Sequence, residues 1–470
     1  MFKQIKKIII SGKECLPIIE GGKGIGLSTG VTAGHFAKEG AVGTISGVNP
    51  DIIDDNGKIL PLIFKGKSRI ERQIEMIEQS IRGIISQAKV AKEISGGKGR
   101  IHLNILWEMG GAEKILEGAL AKTKDLIHGV TCGAGMPYKL AEISAKYKVY
   151  YYPIVSSMRA FRILWVRSFH KFSDWLGGVV YECPWRAGGH NGLSNAENPD
   201  IFGDSYERVK ELRTYMNEIG LDKTPIIIAG GVWNLEEYES WIDNPEIGPI
   251  AFQFGTRPIL TKESPAPDKL KKVLLDLKEE DIIRNRFSPT GFYSSAVKNE
   301  FLEELFERSH RQVKYVVEKN EVFDTEIICG KSEKKYYIEA KDRENVNEWV
   351  ESGYTEALRT PDGGLVFVSF EKAEEMKENQ KKCIGCLSQC LFSSWSQYMP
   401  EKGYNTGKLP DPRSFCIQRT LQNIRKGIGR VQDNLMFAGS NAYRFATDPF
   451  YNNGFIPTTK QLIARIMEGK

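Results

Sequence analysis

Three groups of residues in this chain could carry chemistry, and each stands out from its surroundings. The first is His190, one of six histidines in 470 residues, in the run Arg186-Ala187-Gly188-Gly189-His190-Asn191-Gly192. Imidazole changes charge near neutral pH, which suits proton transfer, and the glycines let the backbone approach a ligand closely. A histidine at a strand end also has a plain structural reading. The second group is a set of glycine turns: Gly21-Gly22-Lys23-Gly24-Ile25-Gly26, Gly230-Gly231 and Gly255-Thr256. The first of these is not a dinucleotide fingerprint, because Leu27 or Thr29 stands where G-x-G-x-x-G needs its last glycine. A loop lying against a flat ring is one reading of it, and a flexible connection is the other. The third group is Cys383-x2-Cys386-x3-Cys390, followed after 25 residues by Cys416. Four thiolates so spaced suit an iron–sulfur cube of the [4Fe–4S] type, three from one loop and one from another. Zinc, more typically held by two C-x2-C pairs, is the next reading, and reduced free thiols the last.

The elements that must position these groups repeat along the first 260 residues or so. Short apolar strands are expected at Pro17–Glu20, Val42–Ser46, Ile101–Leu106, Ile127–Cys132, Val149–Val155, Gly178–Glu182, Pro225–Ala229 and Pro249–Phe254. Helical patterns lie between them at Ser68–Ile94, Ala112–Lys124, Pro137–Lys146, Tyr206–Ile219 and Leu235–Trp241. Strands apolar on both faces that alternate with helices call for a parallel sheet. Eight such units fit an α/β fold of the closed (β/α)8 TIM barrel type, with an open doubly wound sheet as the rival. In such barrels a phosphate often sits on the loops after strands seven and eight, which places Gly230, Gly231, Gly255 and Thr256 at the expected spot. Asn104 is a polar side chain inside an apolar strand; a satisfied core amide is its alternative reading.

After Thr261 the pattern changes, so residues 1–261 are expected to form the barrel and 262–470 an α+β extension packing back on it. Helices are expected at Asp268–Asp281, around Ala296–Ser309 and at Thr458–Met467, with a strand at Leu365–Phe370. Residues 311–382 read as charged and irregular. A net charge of +5 with Lys and Glu interspersed gives no nucleic-acid patch. No apolar run approaches the roughly 18 residues of a membrane helix. The N-terminus lacks a signal-peptide core, and the cysteine usage argues against disulfides, so a cytoplasmic location is expected. His35 has no acidic or cysteine neighbour at ligand spacing, and neither G-x-S-x-G nor H-E-x-x-H occurs.

Several runs occur in the order of a known family: Pro17–Gly22, Cys132-Gly133-Ala134-Gly135-Met136-Pro137, Arg186–His190, Ala229-Gly230-Gly231 and Gly255-Thr256-Arg257. In these the chain resembles the nitronate monooxygenase (2-nitropropane dioxygenase-like) flavoproteins, strongly over about residues 15–265. Ser288-Pro289-Thr290-Gly291 and Phe437-Ala438-Gly439-Ser440-Asn441-Ala442-Tyr443-Arg444 resemble a long-tailed branch of oxidoreductases. The resemblance implies FMN in a TIM barrel. Gly21, Gly22 and Asn104 would line the isoalloxazine and ribityl region, Gly188 and Gly189 would approach the flavin, and Gly230, Gly231, Gly255 and Thr256 would hold the phosphate. His190 matches the histidine placed as base or polarising group. Glu20, Lys23 and Cys183-Pro184-Trp185-Arg186 depart from the family pattern, and Trp185 and Arg186 are expected to shape the substrate pocket. The implied activity is oxidation of a small molecule (a nitronate) or NAD(P)H through the flavin, with oxygen or an organic acceptor. The alternatives are an NAD(P)H-dependent enoyl-thioester or quinone reductase and a non-catalytic flavin- or cluster-bearing sensor or assembly subunit. A small-molecule substrate, no nucleic acid and no membrane partner complete the expectation.

Overall fold

Eight short strands, each hydrogen-bonded in parallel to a neighbour on both sides, close into a barrel in this computed structural model, which describes all residues except 1, 4, 195 and 196. They are β1 (Ile18–Glu20), β2 (Val42–Ser46), β3 (Arg100–Leu106), β4 (Gly129–Gly133), β5 (Tyr150–Val155), β6 (Val179–Glu182), β7 (Ile226–Ala229) and β8 (Ile250–Phe254). Closure is made by β8 on β1, with Phe252 opposite Ile18 and Gln253 opposite Ile19. The strands hold because both faces are covered. Ile101, Leu103, Val179, Tyr181, Phe252 and Phe254 pack outward against the helices, while Val42, Val180, Ile227 and Ala251 fill the interior.

The helices follow from caps and stripes. Helix α1 (Gly30–Lys38) starts at Thr29 in a capping box with Thr32, and α2 (Arg69–Ser95) starts at Ser68 in one with Glu71. The sequence places His35 on a helix here, and the structure bounds that helix as α1. A Cβ on Gly30 would stand 2.2 Å from the Gln87 carbonyl and one on Gly34 2.7 Å from Ile94, so the glycines let α1 lie against α2. Helices α3 (Ala112–Leu120), α4 (Leu140–Lys146), α5 (Met158–Arg167) and α6 (Ser205–Glu218) follow. The helix expected at Leu235–Trp241 is only a 3-10 turn over Glu236–Tyr238.

An N-terminal hairpin (Ile8–Ile10 with Lys13–Cys15) plugs the bottom of the barrel. Its turn residue Ser11 bonds His102 at 2.9 Å and Tyr152 at 2.8 Å inside the barrel.

The C-terminal elements revise two expectations. Residues 294–297 form a strand rather than the start of a helix, and the helix begins at Glu300. The reason is tertiary: that strand pairs with Ile282–Asn285 on one side and with Gly189–His190 on the other. Residues 311–382 are not irregular. They hold a sheet of Gln312–Lys314, Gly364–Val368 and Glu356–Arg359, a hairpin of Thr325–Cys329 with Lys334–Ile338, and the helices Arg343–Glu351 and Phe370–Lys381. Val313, Ile338, Leu365 and Phe367 are in their core. The charged outward faces of the hairpin mask its strand pattern.

Candidate functional site

Side chains alternate along a strand, so the packing of its apolar residues fixes where the polar ones point. On β3, Ile101, Leu103 and Ile105 face the helices, which turns His102 and Asn104 inward. By the same rule Glu182 shares the inward face of β6 with Val180, and Gln253 that of β8 with Ala251. All three stand toward the C-terminal mouth of the barrel. Asn104 is 5% exposed, Gln253 8% and Glu182 half-buried. Among the described residues none of these three side chains has a hydrogen-bond or ion-pair partner. Burial without a counter-charge pushes the Glu182 carboxyl up to about 7. Glu182 was missed at the sequence level, because only the inward register of β6 gives it meaning.

Around this floor runs a ring of close backbone. A Cβ on Gly22 would stand 2.3 Å from Asn104, and one on Gly21 would stand 3.2 Å from Gly255 and 3.3 Å from Gln253. Beside Gly255 there is open space, with no atom within 4 Å of where a Cβ would be. The Thr256 hydroxyl accepts the Gly439 amide at 3.3 Å, and a Cβ on Gly188 would meet that same amide at 2.5 Å. Contacts therefore lead from Asn104 through Gly22, Gly21, Gly255, Thr256 and Gly439 to Gly188. Gly230 and Gly231, both at positive φ, join behind it: a Cβ on Gly230 would meet the Cys183 carbonyl, and one on Gly231 the Arg186 side chain. Asn441 donates to the Gly231 carbonyl. The tail segment 437–441 is thus part of the rim, a role its sequence did not disclose.

His190 sits on this rim. Gly189 and His190 pair with Ser295 and Ser294, and Nε2 lies 2.6 Å from the Ser288 hydroxyl, itself 2.9 Å from that of Thr290. The ring of Phe437 is 5.5 Å away. Burial lowers the His190 pKa to about 4, so the imidazole is neutral near pH 7 and available as a proton acceptor. Ser288, 98 residues further along the chain, was beyond the reach of local pattern.

The departures noted in the sequence resolve in two ways. Glu20 and Lys23 form a buried ion pair at 2.5 Å that shapes the first loop, and Glu20 also accepts the Thr44 amide at 3.1 Å. Trp185 is not in the mouth: it is 3% exposed and stacked under Arg208 at 4.5 Å, with Gly203 against its ring. Arg186 lines a cavity of about 390 Å³ together with Tyr181, Tyr206, Glu237 and Tyr238. That cavity lies on the outer side of β6 and β7, since Tyr181 and Ile228 face the helices. His35 finds a partner from outside its helix in Glu263, 3.9 Å away.

A model of the family described as nitronate monooxygenase matches residues 120–469, well over half of the chain. The chain belongs to the nitronate monooxygenase family. As a member it is a flavin-dependent oxidoreductase on a (β/α)8 barrel. No curated protein matches its sequence. Among solved structures it is similar to the enoyl reductase domain of MlnA from Bacillus amyloliquefaciens, at 12% identity and a TM-score of 0.56 over 96% of this chain and 93% of that one. It is also similar to FabK from Thermotoga maritima, at 14% identity and a TM-score of 0.51 over 97% and 92% of the two chains. At these identities the likeness is one of fold. No helix among the described residues is long and apolar enough to cross a membrane.

The tail cysteines dock on the same end of the barrel. The Gly110 amide, just past β3, donates to the Cys386 carbonyl at 2.9 Å, and the Ser388 amide to the Glu108 carbonyl at 2.7 Å. All eight cysteines are free thiols.

Proposed function

We propose that the protein is an FMN-dependent oxidoreductase that oxidises a small substrate, a nitronate in the first instance, or NAD(P)H, and passes the electrons to oxygen or an organic acceptor. The observation that carries this reading is the barrel mouth. Among the described residues Asn104, Glu182 and Gln253 present polar side-chain groups without a protein partner inside a ring of glycine backbone, which leaves them free to pair with a ligand. A flat ring with a hydrogen-bonding edge fits that donor and acceptor set. Gly21, Gly22 and Asn104 would hold the ring and ribityl region with Gly188 and Gly189 close by. Gly230, Gly231, Gly255 and Thr256 would hold the phosphate, where open space lies beside Gly255. When bound, the flavin supplies the hydride and electron chemistry; the protein supplies position and electrostatics.

The remaining work falls to this chain's side chains. Neutral His190 accepts a substrate proton, and Ser288 holds its Nε2 edge in place. Glu182, titrating near neutral pH, sets the charge of the floor beneath the substrate. Residues 1–261 serve as the flavin barrel, and 262–470 complete its rim through Ser288, Phe437 and Gly439. A second cofactor site at Cys383, Cys386, Cys390 and Cys416 belongs to the same reading.

The test is direct. Protein purified and incubated with FMN should show a yellow flavin spectrum at close to one FMN per chain and consume nitronate with oxygen. A colourless protein after FMN addition would sink the reading. The second reading, an NAD(P)H-dependent enoyl-thioester or quinone reductase, draws on the nearly full-length likeness to FabK and the MlnA domain. NAD(P)H consumption that depends on an enoyl thioester, with none on nitronate, would favour it.

A further inference from the structure

The fold gathers four cysteines from two segments at the top of the barrel. Cys383, Cys386 and Cys390 come from the loop after the Phe370–Lys381 helix, and Cys416 caps the helix Ile417–Lys426. All four pack in or against one apolar cluster there. The loop is built to bring them together. Gly385 has φ of 62° between Cys383 and Cys386, and a Cβ there would stand 2.9 Å from Trp395. Phe392, Trp395 and Phe415 pack with the cysteines and screen them from water.

Polar groups also stand beside the sulfurs. The Gly385 amide donates to Cys383 at 3.5 Å, and the Ser393 hydroxyl lies 3.4 Å from the same sulfur. Cys416 stands at the N-cap of the helix Ile417–Lys426, where the helix dipole favours negative charge. Two guanidinium groups from α2 hold the backbone around the sulfurs. Arg72 donates to the Cys383 and Lys381 carbonyls and Arg69 to those of Ser393 and Gln380, all at 3.0 Å. Hydrogen-bond donors and fixed positive charge are the outer-shell features that stabilise thiolate-ligated iron.

We propose that Cys383, Cys386, Cys390 and Cys416 ligate a [4Fe–4S] cluster on the catalytic face of the barrel. Four thiols release four protons on assembly, and the four thiolates with a dipositive cluster carry a net charge of about −2. Zinc would draw four sulfurs to about 3.8 Å from one another, given Zn–S of about 2.3 Å in a tetrahedron, whereas a cube accepts a wider set. Among the described residues no three His, Cys, Asp or Glu side chains are grouped closely enough to hold a metal ion as they stand, so assembly of the cluster must draw the four sulfurs inward. The location gives the centre a consequence for the site. The Leu391 amide, next to Cys390, donates to the Pro289 carbonyl at 2.9 Å, and the neighbouring Ser288 holds His190 at 2.6 Å. Two hydrogen bonds and two peptide steps join a cluster ligand to the catalytic histidine.

The proposal rests on reading these cysteines as a cofactor site and does not depend on the flavin. Full-length protein prepared anaerobically with ferrous iron and sulfide should hold about four iron and four acid-labile sulfide per chain. Reduction with dithionite should give an electron paramagnetic resonance signal of a reduced cube. Cys386→Ser should lose more than half of the iron, while Cys329→Ser, in the remote hairpin, keeps it. One zinc per chain, iron without sulfide, or four freely titratable thiols would each overturn the proposal. If Cys386→Ser does not fold, iron and sulfide in the unaltered protein decide alone. Flavin content of the same sample separates the two readings, since a cluster without flavin leaves this proposal standing and removes the other.

Discussion

At the bottom of the barrel Ser11, His102 and Tyr152 bond to one another, whereas at the top Asn104, Glu182 and Gln253 bond to no described residue. His102 and Asn104 are successive inward residues of the same strand. The bottom is sealed by a hairpin, and its polar groups meet their needs internally. Burial there lowers the His102 pKa to about 3, so it stays neutral and inert to pH. The top leaves Asn104, Glu182 and Gln253 unpaired among the described residues, beside open space. Polar groups left unpaired at an open mouth can meet a ligand. Stability is assigned to one end of the barrel and chemistry to the other.

Breaking the top should cost activity and spare the fold. The largest effect is expected for His190→Asn, with turnover down by about 10²–10⁴ and flavin content unchanged. Retained turnover with full flavin would remove His190 from the mechanism. Ser288→Ala should lower turnover by about tenfold by freeing the imidazole edge, with KM little moved. That variant also measures what the C-terminal extension gives the barrel, since Ser288 lies outside it.

Glu182→Gln sharpens the comparison through pH. With its pKa raised to about 7, Glu182 is neutral below pH 7 and anionic above it. An anionic nitronate should therefore show KM rising several-fold between pH 6 and 8, and a flat KM in the variant. Linkage gives a second readout. The unfolded chain ionises this group at about 4.5 while the folded one holds its proton to about 7, so its contribution to stability falls as pH rises across that window. The flavin-free variant should be more stable than the parent at pH 8 by about 1–3 kcal/mol and equal to it at pH 4, read as a rise in Tm.

The contrast also explains which parts the sequence could disclose. All eight barrel strands were legible because each is apolar on both faces, and Asn104 because it interrupts such a run. Helix α1 was legible around His35, but the purpose of Gly30 and Gly34, close contact with α2, needed the fold. The strand Ser294–Val297 was hidden because its partners lie in Ile282–Asn285 and Gly189–His190. Glu182 required the register of β6, and Trp185, taken for a pocket residue, required the position of Arg208. Local pattern reveals what faces the core. It does not reveal which polar groups the fold leaves without partners.

The smallest effect on activity should come from the sealed end, and it completes the comparison. Tyr152→Phe removes one hydroxyl from the plug and leaves the Ser11 amide, which donates to it at 2.9 Å, without an acceptor. Nothing else in the barrel need move, because the ring keeps its tilted contact with His102 at a centroid distance of 4.6 Å. The expected cost is about 1–3 kcal/mol, read as a lower Tm, with turnover and flavin content within twofold of the parent. Loss of turnover in this variant would mean that the two ends communicate through β3. The division would then fail, because His102 could no longer be treated as support for Asn104 alone.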